Sequence, residues 1–209
     1  MFIGHYGISL AARTRVSSPS LGWFFLAVQG LDLLFASFVL LGWEHLRIVP
    51  GFTAFTPYQL YDMPLSHSLV AALGWSVLAV LLAKALRLPG AAGALLGLCV
   101  LSHFALDLPM HTPDLPLLFE NGPKLGFGLW NHRALSVMAE LVVAGAGLAL
   151  YWVRRRPAPG RFVPFALTLL IVALATPFLP PPASAASFAI QALVAYLGLA
   201  AWAGYVDRG

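Results

Sequence analysis

Long apolar runs alternate with short, proline-rich polar breaks along the whole chain. Six runs approach or exceed the ~20 mostly apolar residues that a spanning helix needs. They cover roughly residues 21–43, 64–85, 88–108, 129–153, 162–179 and 183–205. Pro50-Gly51 and Pro57 mark a long loop after the first run, and Leu88-Pro89-Gly90 a tight turn after the second. Pro109, Pro113 and Pro116 mark another long loop, and Pro180-Pro181-Pro182 turns the last hairpin. The pattern predicts an all-α, polytopic integral membrane protein with six transmembrane helices. A seventh run, residues 2–12, is too short to span. Arg13 and Arg15 follow it rather than precede it, the reverse of a secretory signal peptide. It predicts a short N-terminal helix dipping into the membrane.

Charge sharpens the class. Of 209 residues only 10% are charged and 60% are hydrophobic, against ~25% charged in ordinary globular domains. That excludes a soluble enzyme, and scattered cations argue against nucleic-acid binding despite a net charge of +4. With both termini cytoplasmic, the inner segments hold Arg13, Arg15, Lys84, Arg87, Arg154, Arg155, Arg156, Arg161 and Arg208. The outer side holds Arg47, Lys124 and Arg133, the asymmetry expected of a multi-pass cell-membrane protein. The single cysteine, Cys99, lies in an apolar run, so no disulfide framework is expected.

The ionisable residues divide the chain. None lies between Phe162 and Tyr205. The reading is therefore a membrane domain over residues 1–153 carrying the polar site, and an apolar hairpin over 154–209 used for packing or a homo-oligomer surface. Inside the predicted spans, charge is costly and calls for a partner. Asp32 lies eleven residues past Leu21, and Glu140 eleven past Leu129 from the other side. His5 is eight residues before Arg13, while His67 and the pair His103 and Asp107 lie toward the outer ends of their helices. At ~1.5 Å per residue, these depths converge on the outer half of the bilayer.

His103 and Asp107 are i and i+4 and share a helix face. Imidazole with carboxylate suits Zn²⁺, Mn²⁺ or Fe²⁺. Asp32, His67, His103 and Asp107 are therefore read together as a site for a divalent metal ion, zinc first. Plainer readings stand beside this one. His132 sits at a helix mouth in reach of water. Arg133 and Glu140, i and i+7, form an internal ion pair as readily as a site. Glu44, His45 and Asp62 lie in a loop and are solvated. Trp23, Trp43, Trp130 and Trp152 lie near helix ends as interfacial anchors. Gly90, Gly93, Gly97 and the stretch Ala144 to Gly147 are close-packing surfaces.

The order Gly4-His5, Asp32, Ser66-His67-Ser68 and Ser102-His103 with Asp107 resembles the membrane-bound metal-dependent hydrolase family, also called the LexA-binding, inner-membrane-associated hydrolases. The resemblance covers roughly residues 1–120 and implies a bacterial inner-membrane hydrolase with metal ligands His5, Asp32, His67, His103 and Asp107. Where that family has Pro-Asp-x-Asp-His, this chain reads Gln29-Gly30-Leu31-Asp32-Leu33. Where it has His-Arg-x-x-Thr-His, this chain reads Asp62-Met63-Pro64-Leu65-Ser66-His67. The lost ligands leave one metal, or none, rather than two.

The expected activity is hydrolysis of a lipid-like, amphiphilic or phosphate-containing substrate near the outer membrane face. Asp114 or Glu140 takes the proton, and Arg47, Lys124 and Arg133 are the candidate clamps for an anionic headgroup. The loop from Pro109 to Leu117 and the glycines Gly122, Gly126 and Gly128 form a hinged lid. A permease using Asp32, Glu140 and the histidines as coupling groups, or a non-catalytic membrane protein, fits the same residues.

Overall fold

Helix ends fall where short side chains and special backbone angles can satisfy them. The computed structural model describes residues 1–119 and 122–208. Helix α1 (Ile3–Arg13) is followed by α2 (Leu21–Val28) and α3 (Gly30–Leu41), which ends at Gly42 with φ of +72°. A hairpin, β1 (His45–Ile48) and β2 (Tyr58–Asp62), leads to α4 (Leu69–Ala85), capped by the Ser68 hydroxyl on the Ala71 amide. Helix α5 (Gly90–Met110) is followed by the two-residue strands β3 (Leu115–Pro116) and β4 (Lys124–Leu125). The last helices are α6 (Arg133–Arg155), α7 (Pro159–Ala175) and α8 (Ala185–Val206), the last opened by a Ser184–Ser187 capping box. Both small sheets are antiparallel.

Four helices are long and apolar enough to cross a membrane: α5, α6, α7 with its short extension to Phe178, and α8. The run expected to span residues 21–43 is a pair, α2 and α3, bent by 56° at Gln29, and makes a fifth candidate only if taken as one. The run expected over 64–85 yields a helix of 17 residues starting at Leu69. Its beginning is not helical because Glu44 accepts hydrogen bonds from the Leu65 and Ser66 amides. Helix α6 likewise starts at Arg133, since Gly128, with φ of +74°, opens a separate turn over Leu129–Asn131.

Helix α1 is central. It packs against α2, α5, α6 and α7, and Ile3, Tyr6 and Leu10 have no exposed surface. The Tyr6 ring stacks on Phe25 with centroids 4.2 Å apart. Glycine permits the tightest crossing. A Cβ on Gly7 would lie 2.1 Å from the Val143 carbonyl oxygen, and one on Gly147 would lie 2.4 Å from the Gly7 oxygen. The packing expected of the Ala144–Gly147 stretch is thus made against α1. Gly97 and Gly93 serve the α4–α5 contact in the same way, whereas Gly90 faces open space. At the far ends of the helices, Asp207 accepts from Arg13 Nε at 2.7 Å, from the Leu21 amide at 2.9 Å and from the Tyr151 hydroxyl. This buried carboxylate ties α1, α2 and α6 to the end of α8.

The C-terminal hairpin is no detached element. Helix α8 packs on α2 and α3, and α7 on α6. Replacing Gly147 by leucine forces apart α1 and α6. We expect Gly147→Leu to lower stability by roughly 1–3 kcal/mol or more, read as an earlier thermal unfolding midpoint in detergent, while Gly145→Leu, where a Cβ meets nothing within 4 Å, leaves the midpoint nearly unchanged.

Candidate metal centre

Three local devices bring the polar residues of the N-terminal half together. The first is the bend at Gln29. It makes Val28 the last residue of α2, with a carbonyl among those a helix end leaves free. It also places Asp32 in the first turn of α3, where Gln29 Nε2 donates to Asp32 Oδ2 at 3.2 Å. The second is Glu140, whose carboxylate accepts from the Phe2 amide at 2.7 Å and the Gly4 amide at 2.5 Å. A carboxylate on the free amides of a helix N-terminus is favourable, and here it fixes the turn carrying His5. The third is the continuation of α5 through Pro109 to Met110, which carries one face of α5 past Asp107 to His111.

The result is a buried cluster. His5, His67, His103, His111 and Asp107 are each at most 2% exposed. His5 Nε2 lies 3.1 Å from Asp107 Oδ1, and His103 Nε2 lies 3.1 Å from Asp107 Oδ2. Asp32 Oδ1 is 3.3 Å from His67 Nε2 and 3.5 Å from His103 Nε2. His111 Nε2 is 3.5 Å from Asp107 Oδ2. The His5 and His103 rings stack at 3.8 Å. The five residues expected as ligands, His5, Asp32, His67, His103 and Asp107, are therefore neighbours in space. Two overlapping groups, His5 with His103 and Asp107, and Asp32 with His67 and His103, have the ligand-atom spacing that could hold a metal ion.

The outer nitrogens of three imidazoles are committed. His103 Nδ1 lies 2.7 Å from the Val28 carbonyl, which can only accept. His111 Nδ1 lies 2.8 Å from Asp114 Oδ1, whose other oxygen accepts from Thr112. His67 Nδ1 lies 2.8 Å from Ser66 Oγ, and that hydroxyl donates its own proton to Glu44 Oε2 at 2.6 Å. Each Nδ1 must therefore carry hydrogen. In the neutral rings all three Nε2 lone pairs then face the carboxylates of Asp32 and Asp107. Lone pairs of one polarity converging in a buried space repel unless a cation or added protons lie among them, and the Met1 ammonium, 2.5 Å from Asp107 Oδ1, meets part of that demand. His103 Nε2 and His5 Nδ1 have no hydrogen-bond partner. The donor set fits a divalent ion bound by imidazole nitrogen and carboxylate oxygen, with the outer partners that orient such ligands.

Several expectations change here. Glu44 is not solvated but wholly buried, and burial raises its carboxyl above the usual range even against the Ser66 and Leu65 donors. His45 and Asp62 do pair, at 2.6 Å, on the more open hairpin. Arg133 and Glu140 do not form the ion pair their spacing allowed, since Glu140 holds α1 and Arg133 Nε donates to the Ala54 carbonyl at 2.7 Å. Trp130 is no interfacial anchor; it is buried, with its ring tilted against His111 at a centroid distance of 4.0 Å. Gly126, read as a hinge, is packed, since a Cβ there would lie 2.0 Å from the Thr112 oxygen.

A cavity of about 360 Å³ opens onto the cluster, with Asp32, His67, Asp107 and His111 in its wall. The C-terminal hairpin, expected to stand apart from the chemistry, supplies Val172, Thr176, Phe188, Gln191 and Tyr196 to the same wall. His111 was missed as a site residue. The signal was His103, Asp107 and His111 at i, i+4 and i+8, masked by reading Pro109 as a helix stop. No family model, curated protein or solved structure matches this chain.

Truncating Glu140 leaves the buried Gly4 amide and the partly buried Phe2 amide of the α1 entry without an acceptor. We expect Glu140→Ala to cost about 1–3 kcal/mol, with Glu140→Gln intermediate, measured by denaturant unfolding in detergent.

Proposed function

We propose that this chain is a membrane-embedded, metal-dependent hydrolase and a divergent member of the family it resembles. In this reading the bent pair α2–α3 and α4 complete six crossings, α1 enters from the cytoplasmic side, both termini are cytoplasmic, and the site opens toward the outer face. The observation that carries it is the outward commitment of three Nδ1 atoms, which turns the Nε2 lone pairs of His67, His103 and His111 toward the carboxylates of Asp32 and Asp107.

His103 would be the central ligand, with His67 and Asp32 toward the cavity and Asp107 and His5 behind. The ion, zinc on this donor set, supplies a Lewis acid that lowers the pKa of water toward ~7. His111 stands in the cavity wall with Asp114 on its Nδ1. An imidazole oriented by a carboxylate is the ordinary form of a general base. Asp114, expected to take a proton directly, acts in this scheme by holding His111 in the right tautomer. Glu140 and Arg133 are absent from the described wall of the cavity and act on α1 and on the loop at Ala54. The walls exclude bulk water, since most of the lining is apolar or aromatic.

The test is bound metal after purification without a histidine tag. About one divalent ion per chain is expected for the wild type and a large loss for His103→Ala. Ser66→Ala, which frees the His67 tautomer, is expected to weaken metal affinity ~10–100-fold. A folded wild-type protein that neither carries nor takes up zinc would overturn the reading. His111→Gln should keep its metal yet lose ~10²–10⁴-fold in hydrolytic turnover.

One observation favours a second reading. A helix broken beside a partly buried carboxylate, as at Gln29 and Asp32, is also how transporters build midplane ion sites. Proton-coupled solute flux in proteoliposomes that Asp32→Asn abolishes, from a protein free of metal, would select the transporter.

A further inference from the structure

The bent pair α2–α3 also leaves an open space beside α4, which packs on α5 and only lightly on α3. A groove of about 310 Å³ runs there. Trp23, Leu34, Trp75 and Leu82 are among its walls, with the buried Leu96 and Val100 also in its lining. No described lining residue carries an ionisable side chain, and none is shared with the cavity at the cluster. On α4 the lining runs from Trp75 to Leu86, eleven residues on. That is ~16 Å of helix, close to half of a hydrocarbon core ~30 Å thick. The groove therefore has the length of an acyl chain in one leaflet.

Charge marks one end of it. Leu86 and Leu88 line that end. Lys84 and Arg87 beside them are exposed, and neither side chain has an ion pair or hydrogen bond among the described residues. Trp23, 46% exposed, stands in the first turn of α2, whose Leu21 amide is tied to Asp207. The cations expected to clamp a headgroup are, by contrast, engaged within the protein. Arg47 lies over the Tyr61 ring at 4.5 Å, Lys124 donates to the Tyr61 carbonyl and Arg133 to the Ala54 carbonyl. A phosphate is held by cations and N–H donors, and its hydrocarbon by an apolar wall.

We propose that this groove binds an anionic phospholipid, with one acyl chain along α4 and the phosphate at Lys84, Arg87 and the Trp23 indole N–H. A zwitterionic lipid offers the same chain but brings an ammonium toward two cations. The site is independent of the hydrolase reading and of any metal.

The test uses the full chain in non-ionic detergent, titrated with phosphatidylglycerol or phosphatidylcholine carrying dibrominated acyl chains that quench nearby indoles. The emission lost in Trp75→Phe reports the groove. Phosphatidylglycerol is expected to half-quench it at a mole fraction at least about fivefold lower, a ratio that two cations near an anionic headgroup readily give. Lys84→Gln combined with Arg87→Gln should bring the two lipids within about twofold of each other. Ala79→Phe, which fills the groove, should abolish saturable quenching by both, and the charge variant keeps the test open if Ala79→Phe does not fold. Equal quenching by the two lipids in the wild type overturns the proposal, as does a preference that survives loss of both cations. Absence of quenching together with a dimer that Ala79→Phe dissociates would assign the groove to a second copy and overturn it as well.

Discussion

The structure depends on how the carboxylates of Asp32 and Asp107 are held inside an apolar helix bundle. Burying a carboxylate is unfavourable unless a positive partner or several donors meet it. Here the Met1 ammonium meets Asp107 Oδ1 at 2.5 Å, and the other surrounding groups are chiefly imidazoles, three of them turned by Val28, Ser66 and Asp114 so that their free nitrogens face inward. The same requirement explains why the fold departs from plain spanning helices. The bend at Gln29 frees the Val28 carbonyl for His103, and the non-helical start before α4 lets Glu44 hold Ser66, which in turn holds His67. Irregular backbone in such a protein is tolerated where it is buried and bonded.

Helix α1 is the second support. It is held at its start by Glu140, along its length by the Gly7–Gly147 contact, and at its end by Arg13 with Asp207. These are three unrelated interactions, an anion on free amides, a close backbone approach and an ion pair. Together they fix the register of His5 against His103. The carboxylate of Asp207 does at one end of the bundle what Glu140 does at the other, satisfying backbone donors that an apolar interior cannot.

The cavity links the cluster to the C-terminal hairpin, so the last quarter of the chain belongs to the site although it supplies none of the expected metal ligands. Its contribution is shape and a mostly apolar stretch of wall. The hairpin between β1 and β2 closes the same space from the loop side, with Phe55 tied to the Trp130 carbonyl and Ala54 to Arg133.

Much of this was legible in the chain itself. Scarce charge and long apolar runs determine a helical membrane-type protein, because nothing else buries that much apolar surface with so few ions. The spacing of His103 and Asp107 on one helix face, and similar depths for Asp32 and His67, point to one place because helical rise is constant. What the sequence does not contain is which acceptor each imidazole meets, and that decides where its lone pair points. Ser66 bridging Glu44 to His67, the Val28 carbonyl on His103 and the passage of α5 through Pro109 to His111 depend on groups up to 75 residues apart. The fate of Arg133 and Glu140 shows the same limit. Helical spacing allowed them to pair, but the free amides of α1 and the Ala54 carbonyl offered each a nearer partner, and only the packing of distant segments brings those partners within reach.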